Sequence, residues 1–245
     1  MIDRLSHSMQ SLQRLMQSQE VTANNLANLN TPGYKADKLF YHSFMEQIEG
    51  ETVTKVMPGQ TINMEQGHFE STTNPYDLAI EGNGFFQVEL EGQNLLTRNG
   101  RFRLDADGYM VNEQGAYVRG GNGIVHIPPM THTNMADNEV DVEIMKDGTI
   151  MLNGLVHDKI NLMTVDRVEQ LERHSTGYFT VPTNVDLYAD EESSMLQGYY
   201  EAGNVDPLNE LMAMITNATM FEAQKNAMTT TDELLSRATN TLGKF

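Results

Sequence analysis

The chain has 245 residues, enough for one or two domains with a sizeable core. Its 34 acidic and 16 basic residues give a formal net charge of −18, which argues against nucleic acid and anionic membrane surfaces as partners, because both attract Lys and Arg. The absence of Cys excludes disulfides, thiolate metal sites and Cys nucleophiles. No apolar run approaches the ~20 residues of a membrane-spanning helix, and the first part of the chain lacks the apolar stretch of a secretory signal peptide.

Residues 2–26 show the first clear pattern, with apolar positions in alternating steps of three and four. This is the a/d spacing of a coiled coil. The row runs through Ile2, Leu5, Met9, Leu12, Met16, Gln19, Ala23 and Leu26. Because the other faces are mainly Ser, Gln, Asn and Thr, the helix has little stability of its own, and we expect it to fold only against a partner. The turn at Pro32-Gly33 ends the segment.

In the middle of the chain the period changes from seven to two. Residues 35–74 have no strong period and are predicted to be a connecting segment. Across residues 75–203, turn signals recur at short intervals without an intervening helical stretch, which predicts an antiparallel β domain, either an open barrel or a sandwich. Acidic and apolar residues alternate over residues 139–144, which predicts a strand with one face exposed to solvent. Turns are predicted at Asn99-Gly100, as a hairpin, and at Asp107-Gly108 and Asp147-Gly148.

A second heptad pattern occupies the end of the chain. Asp206-Pro207 is a good helix start, with Asp as the N-cap and Pro at the first helical position. Apolar residues then recur every seven positions at Met214, Phe221, Met228, Leu235 and Leu242, with Leu211 and Ala218 in a second, interleaved row. Lys225 and Asp232 continue the second row, which favours a place where several helices meet over a simple two-stranded pair.

Together these patterns predict an α+β chain in which N- and C-terminal heptad helices form a coiled-coil domain and bracket an antiparallel all-β central domain. The predicted parts are residues 1–34 and 204–245 for the two helices, 35–74 for the connecting segment and 75–203 for the β domain. Charge follows a similar division, because residues 136–206 hold 15 acidic and 4 basic residues, whereas residues 1–40 hold 3 acidic and 4 basic residues. The neutral ends are therefore the parts expected to touch a partner.

Patterns for catalysis and metal binding are weak throughout. The sequence holds no nucleophile elbow, P-loop or His-Glu-x-x-His motif. The run from Asp105 to Gly108 resembles the opening of a calcium loop but lacks the later Gly and Glu that an EF-hand needs. His126 and His132 have no third ligand at metal-binding spacing. We predict no catalytic, cofactor-binding or metal-binding residue; a carboxylate-based hydrolase using Asp105 and Asp107 is the enzymatic alternative.

One stretch of the sequence resembles the N-terminal signature of bacterial flagellar rod, hook and hook-associated proteins. The matching residues are Asn24, Asn25, Leu26, Ala27, Asn28, Thr31, Pro32, Gly33, Tyr34 and Lys35. Three further stretches agree with this family in the same order: residues 77–86 and 97–109 with its β domain, and residues 203–206 with the start of its C-terminal helix. Residues 130–195 match only loosely.

The resemblance implies a structural subunit of the flagellar axis. In this family the terminal helices pair as a coiled coil, line the inner tube and fold on assembly, while the flagellar type III apparatus exports the subunit. The implied location is the basal body outside the cytoplasm, in the periplasm where an outer membrane exists. The implied partners are copies of the chain, other rod proteins, the export apparatus and surrounding ring proteins, without nucleic acid or membrane insertion.

The resemblance also implies which residues form the assembly interface. On the first helix they are Ile2, Leu5, Met9, Leu12, Met16 and Leu26, and on the second they are Leu211, Met214, Ala218, Phe221, Met228, Leu235 and Leu242. The length favours a rod subunit over a hook protein, which carries an additional domain. The short connection after the signature and residues 214–224 resemble the proximal rod subclass more than the distal one. A distal rod subunit and a soluble coiled-coil adaptor are the alternatives.

Overall fold

The computed structural model describes residues 2–48, 51–128 and 141–242, with side chains described in these ranges except at 2–8, 42–48, 51–58, 232 and 235–242. Two long helices at the ends of the chain enclose a series of strands, so the predicted α+β arrangement is confirmed. The chain divides into two compact units. The helical unit comprises Met1–Ala27, Asp37–Thr61 and Asp206–Phe245, and the β unit comprises Asn28–Ala36 and Ile62–Val205.

The helical unit contains α1 (Ile2–Ala27) and α2 (Pro207–Leu242), which contact each other. It also contains β1 (Asp37–Ile48) and all but the last residue of β2 (Glu51–Ile62), and these strands pair as a two-stranded sheet. Both helices begin and end close to the positions that periodicity and capping predict. The two strands lie in the stretch predicted as a connecting segment, where Val, Ile, Thr and Phe favour extended structure but do not alternate strictly with polar residues.

The β unit contains the remaining strands of the described residues and one 3₁₀ helix, Val168–Gln170. The strands are short and follow one another closely. They are β3 (Phe69–Ser71), β4 (Leu78–Glu81), β5 (Phe85–Leu90), β6 (Gln93–Thr97), β7 (Phe102–Leu104), β8 (Met110–Asn112), β9 (Tyr117–Gly120), β10 (Gly123–Ile124), β11 (Val142–Ile144), β12 (Thr149–Leu152), β13 (Leu155–Lys159), β14 (Leu162–Val165), β15 (Glu172–Ser175), β16 (Tyr178–Thr180), β17 (Leu187–Ala189), β18 (Ser194–Gln197) and β19 (Tyr199–Glu201).

Strand pairing in the β unit is antiparallel wherever the described residues pair, as predicted. The largest sheet has the order β15-β16-β6-β5-β9-β8-β7, with β14 attached at β5, β17 attached at β14 and β10 attached at β9. A three-stranded sheet has the order β11-β12-β13, and β4 and β3 pair with β18 and β19 respectively. The pairs β4–β18 and β3–β19 fasten the C-terminal end of the unit to its N-terminal end.

Aromatic and branched side chains fill the core of the β unit. The main cluster includes Phe86 and Phe102, whose rings pack edge to face with their centroids 5.1 Å apart, together with buried Ile150 of β12. A smaller cluster contains Phe85 and Phe179, whose ring centroids lie 5.8 Å apart. Because consecutive strand residues point to opposite faces, Phe85 and Phe86 serve different clusters on the two sides of β5.

The predicted Asp-Gly turns are confirmed. Gly108 lies between the paired strands β7 and β8 and Gly148 between β11 and β12, with φ of +88° and +86° respectively, a conformation that Gly adopts without strain. Of the strand predicted at residues 139–144, residues 139 and 140 lie outside the described part. Of the other four, Val142–Ile144 form β11, in which Val142 and Ile144 are buried and Glu143 is exposed, as the alternation predicts.

The predicted Asn99-Gly100 hairpin is wrong. The strands on either side do not pair with each other, because β6 pairs with β5 and β16 while β7 pairs with β8. Instead, the Gly100 carbonyl accepts a hydrogen bond from the Leu78 N–H at 2.9 Å. The Asn99 side chain accepts one from the Arg101 N–H at 3.0 Å and closes a local turn. The dipeptide therefore bends the chain, but more distant strands decide the pairing.

Candidate assembly site

Helix α2 begins as its sequence predicts. The Asp206 carboxylate accepts hydrogen bonds from the N–H groups of Leu208 at 3.0 Å and Asn209 at 3.2 Å, which are otherwise unpaired donors of the first turn. Pro207 is the first helical residue. Glu210 adds negative charge near the positive end of the helix dipole. The start of the C-terminal helix is thus fixed by local sequence.

A row of polar side chains joins α1 to α2. The Asn25 amide donates a hydrogen bond to the Glu210 carboxylate at 2.8 Å, and the Asn217 amide donates one to the Ser18 hydroxyl at 2.9 Å. Each partner is seven residues from the next on its own helix, and the order of the pairs makes the helices antiparallel. We call these two pairs the polar ladder. The spacing of apolar residues does not reveal the polar ladder, although the interval of seven between its polar members is present in the sequence.

The predicted apolar rows lie beside the polar ladder rather than in it. Met9 and Met16 are 53% and 60% exposed, whereas Leu12 and Leu26 are half-buried. On α2, the exposed members of the predicted rows are Leu211, Ala218 and Phe221, and the half-buried members are Met214 and Met228. The side chains of Ile2, Leu5, Leu235 and Leu242 lie outside the described residues.

An open groove of about 890 Å³ runs between α1 and α2. Met16, Gln19 and Ala23 of the predicted α1 row line one wall, and Ala218 and Phe221 of the predicted α2 rows line the other. The Gln19 side-chain oxygen is buried there and has no hydrogen-bond partner among the described residues. The structure therefore brings members of the two predicted rows to one groove, whose lining also includes Glu20 and Glu222.

The N-terminal signature residues are mainly internal. The Asn25 amide also donates to the Asp37 carbonyl at 3.0 Å and accepts from the Asp37 N–H at 2.9 Å, while Asn24 and Ala27 are exposed. Asn28 accepts hydrogen bonds from the Thr31 N–H and hydroxyl. These hydrogen bonds hold the turn that follows α1.

The second half of the signature is buried in the β unit. Pro32 is buried, and Gly33 has a φ of +66° and lies so close to the Arg98 backbone that a Cβ would collide with it. The Arg173 guanidinium lies 4.9 Å from the centre of the Tyr34 ring. Lys35 is fully buried and donates to Glu201 at 2.6 Å. The Pro32–Lys35 part of the signature therefore builds the fold and does not line the groove.

The candidate chemical residues have local structural roles. The Asp105 carboxylate accepts the N–H groups of Asp107 at 3.0 Å and Tyr109 at 2.8 Å, so it closes its own turn. A ring nitrogen of His126 lies 3.0 Å from the Asp107 carbonyl oxygen. His132 lies outside the described residues. Within the described ranges, no three His, Asp or Glu side chains converge as a metal site.

Three family models match the chain in separate stretches. Residues 5–35 match the flagella basal body rod protein model, and residues 196–241 match the C-terminal model of flagellar basal body rod FlgEFG proteins. Residues 79–152 match the D1 domain model of the flagellar hook proteins FlgE/F/G. The first two stretches contain most of α1 and α2, and the third lies in the β unit.

Relatives match nearly the whole chain. The flagellar basal-body rod protein FlgF of Caulobacter vibrioides is 30% identical over 233 residues, which cover 92% of each chain. The chain belongs to the flagellar basal-body rod protein family. FlgF of Salmonella typhimurium is 27% identical over 96% of both chains. FlgG of Buchnera aphidicola subsp. Acyrthosiphon pisum is 26% identical over 89% of this chain and 91% of the relative.

As a rod protein, the chain is a structural subunit of the flagellar basal body and not an enzyme. The hydrolase alternative is therefore wrong, and Asp105 acts as a turn residue. Neither α1 nor α2, as far as they are described, is long and apolar enough to cross a membrane.

Proposed function

We propose that this rod subunit polymerises by placing helices of neighbouring rod proteins against the apolar rows of α1 and α2, with the groove as the central contact. The observation that carries the proposal is that the polar ladder makes the contacts between α1 and α2, whereas part of the apolar rows remains exposed. Asn25 and Ser18 hold α2 by hydrogen bonds, whereas Met9 and Met16 of the same helix remain more than half exposed. Burial of such side chains contributes about 1.5–3 kcal/mol each, which favours association.

The groove also lacks one hydrogen bond that an incoming helix can supply. A buried amide oxygen without a partner costs about 1–3 kcal/mol, and the Gln19 oxygen is in this position among the described residues. A Ser, Thr, Asn or Gln side chain on the neighbouring helix would satisfy it. The groove therefore favours a mixed helix of the kind that this chain carries, with apolar residues at heptad spacing and polar residues between them.

Charge distribution is compatible with contacts between copies despite the net charge of −18. Residues 211–221 contain no charged residue and residues 5–19 contain Arg14 alone, but the next residue of each stretch, Glu20 or Glu222, also lines the groove. Like-charge repulsion at the groove is thus confined to these two carboxylates. A polymer held by extensive helix packing transmits torque without any chemical step. Its partners would be copies of this chain, other rod proteins and the rings around the rod.

We propose further that the chain is a proximal, FlgF-like rod subunit rather than a distal, FlgG-like one. Supporting this, the FlgF of Caulobacter vibrioides is 30% identical to the chain and the FlgG of the same organism 27%. The sequence features after the signature and in residues 214–224 point the same way. Immunogold labelling of isolated basal bodies carrying an epitope-tagged chain tests the assignment. Label at the membrane-ring end of the rod supports it, and label at the hook end reverses it.

A further inference from the structure

The β unit buries three charged side chains in one cluster. The side chains of Lys35 and Glu201 are each 1% exposed and that of Arg98 is 3% exposed. One Glu201 oxygen accepts a hydrogen bond from the Lys35 ammonium at 2.6 Å, and the other lies 3.4 Å from an Arg98 guanidinium nitrogen. Two buried cations share one carboxylate, so the cluster itself carries a net charge of +1.

Burial of the cluster carries an unfavourable desolvation free energy for its two cations. Burial lowers the pKa of Lys35, and the attraction of Glu201 only partly opposes this effect. Burial likewise lowers the pKa of Arg98, against the attraction of Glu201 and Asp190. Carbonyl oxygens supply part of the lost hydration, because Lys35 also donates to the Glu65 carbonyl and Arg98 to the Gly82 carbonyl, each at 2.8 Å. Buried ion pairs of this kind commonly add little stability compared with apolar side chains of similar volume.

The cluster lies in a collar of three chain segments, residues 33–36, 63–68 and 201–204. The Gly33 N–H donates to the Glu201 carbonyl at 2.7 Å, the Asn63 N–H to the Ala36 carbonyl at 2.7 Å, and the Ala202 N–H to the His68 carbonyl at 2.9 Å. Next to each segment the chain passes between the β unit and the helical unit, at residues 36/37, 61/62 and 205/206.

Backbone pairing alone sets the alignment of these segments weakly. The strands β3 and β19, which connect two of the segments, have three residues each. A ladder so short offers few hydrogen bonds to distinguish the native register from a slipped one. A slip of two residues would replace Glu201 opposite Lys35 by Tyr199 or Gly203. Either replacement leaves the buried Lys35 and Arg98 without the carboxylate that they share, which is strongly unfavourable.

We infer that Lys35, Arg98 and Glu201 form a register lock that selects one alignment of the collar at the expense of stability. The charges act against slipped alignments together with the Asn204 side chain, which accepts from the Ala36 N–H at 2.7 Å and donates to the carbonyls of Asn63 and Glu65 at 2.8 Å. The lock acts inside the β unit, so it is independent of how the subunit assembles and can be tested on the isolated full-length chain.

The test compares a charge-breaking variant with an apolar replacement of the whole cluster. Glu201→Gln leaves two buried cations without their anion, and we expect the melting temperature to fall by about 10 °C. The triple variant Lys35→Met, Arg98→Leu and Glu201→Gln removes all three charges. For it we expect a melting temperature at or above that of the native chain, together with amide exchange at least about tenfold faster in the collar.

Exchange is read at the amides of Gly33, Asn63 and Ala202, with the Val125 amide in the β core as the reference. The matched control is Lys159→Met, which removes an exposed lysine 3.8 Å from Asp147 and should change neither measurement. A triple variant that melts as low as Glu201→Gln, or fails to fold, would show that the cluster stabilises the β unit and overturn the inference. A triple variant with native melting and native collar exchange would overturn it equally.

Discussion

The side-chain amide of Asn25 takes the place of a strand neighbour for Asp37. Its oxygen and nitrogen bond the N–H and carbonyl of Asp37 at 2.9 and 3.0 Å, and the nitrogen also reaches Glu210 at 2.8 Å. One buried residue therefore connects the end of α1, the start of β1 and the start of α2. This explains in physical terms why an Asn of the N-terminal signature is placed at this position.

The first prediction follows from these contacts. Asn25→Ala removes the acceptor of a buried N–H, and we expect the free energy of unfolding in urea to fall by about 2–3 kcal/mol. Asn25→Asp should also destabilise the chain, because it places a second carboxylate against Glu210. The control is Asn30→Ala at a nearby exposed position, with an expected change within about 0.5 kcal/mol. Equal effects at the two positions would contradict the role assigned to Asn25.

A second prediction concerns the pH response of Asp147. The Asp147 carboxylate accepts hydrogen bonds from the Thr149 N–H at 3.1 Å and from the Thr149 hydroxyl at 2.8 Å. These bonds, the backbone one first, lower the pKa of Asp147 below its ordinary value of 3.8. The stability that this carboxylate contributes is present above pH 3.8 and is lost as the pH falls through its lowered value. Titration by NMR should give a low pKa, and Thr149→Val should raise it partway. A pKa of 3.8 or more in the native chain would refute the prediction.

At the scale of elements, the helices were the most predictable part of the chain. Periodicity and the Asp206-Pro207 start are local signals, and the helix bounds lie close to the predictions. The face that α1 presents to α2 was not predicted, because it is a row of polar residues. The strands β1 and β2 were missed because their residues do not alternate, and the Asn99-Gly100 hairpin failed because strand choice depends on partners far along the chain.

The third prediction tests the apolar rows. Leu12→Asp on α1 and Phe221→Asp on α2 each place a charge on a surface from which assembly should exclude water. Burial of an unpaired carboxylate there costs several kcal/mol of association free energy. We expect folded subunits that are absent from isolated basal bodies. Leu12→Met and Phe221→Leu keep the positions apolar, and Met214→Leu should cost less than about 1.5 kcal/mol. Wild-type swimming by either Asp variant would contradict assembly through the apolar rows.

At the scale of the whole molecule, the acidic charge is concentrated in the β unit, but it does not all face solvent. Within residues 136–206, Glu201 is buried against Lys35, and Asp206 caps α2. Asp190 accepts the N–H groups of Glu192 and Ser193. The sequence predicted the excess charge but not these roles, since Glu201 and Lys35 are 166 positions apart.

The fourth prediction concerns the exposed remainder of that charge. Glu191 and Glu192 are exposed, whereas Asp190 is engaged in its own turn and is left unchanged. Glu191→Lys combined with Glu192→Lys should leave assembly nearly unaffected if this region faces outward, toward solvent or a surrounding ring. Loss of assembly that added salt restores would instead place the acidic surface in an interface between subunits.

Protection of a single thiol on α1 tests the central claim most directly. The chain has no Cys, so Met16→Cys introduces one label site on the exposed apolar row. Leu155→Cys, at a residue that is 74% exposed in β13 of the β unit, is the control. If assembly buries the rows, the thiol at position 16 should react with a maleimide quickly in the free subunit and at least about tenfold more slowly in isolated basal bodies. Equal labelling of position 16 in the two states would contradict assembly through the apolar rows.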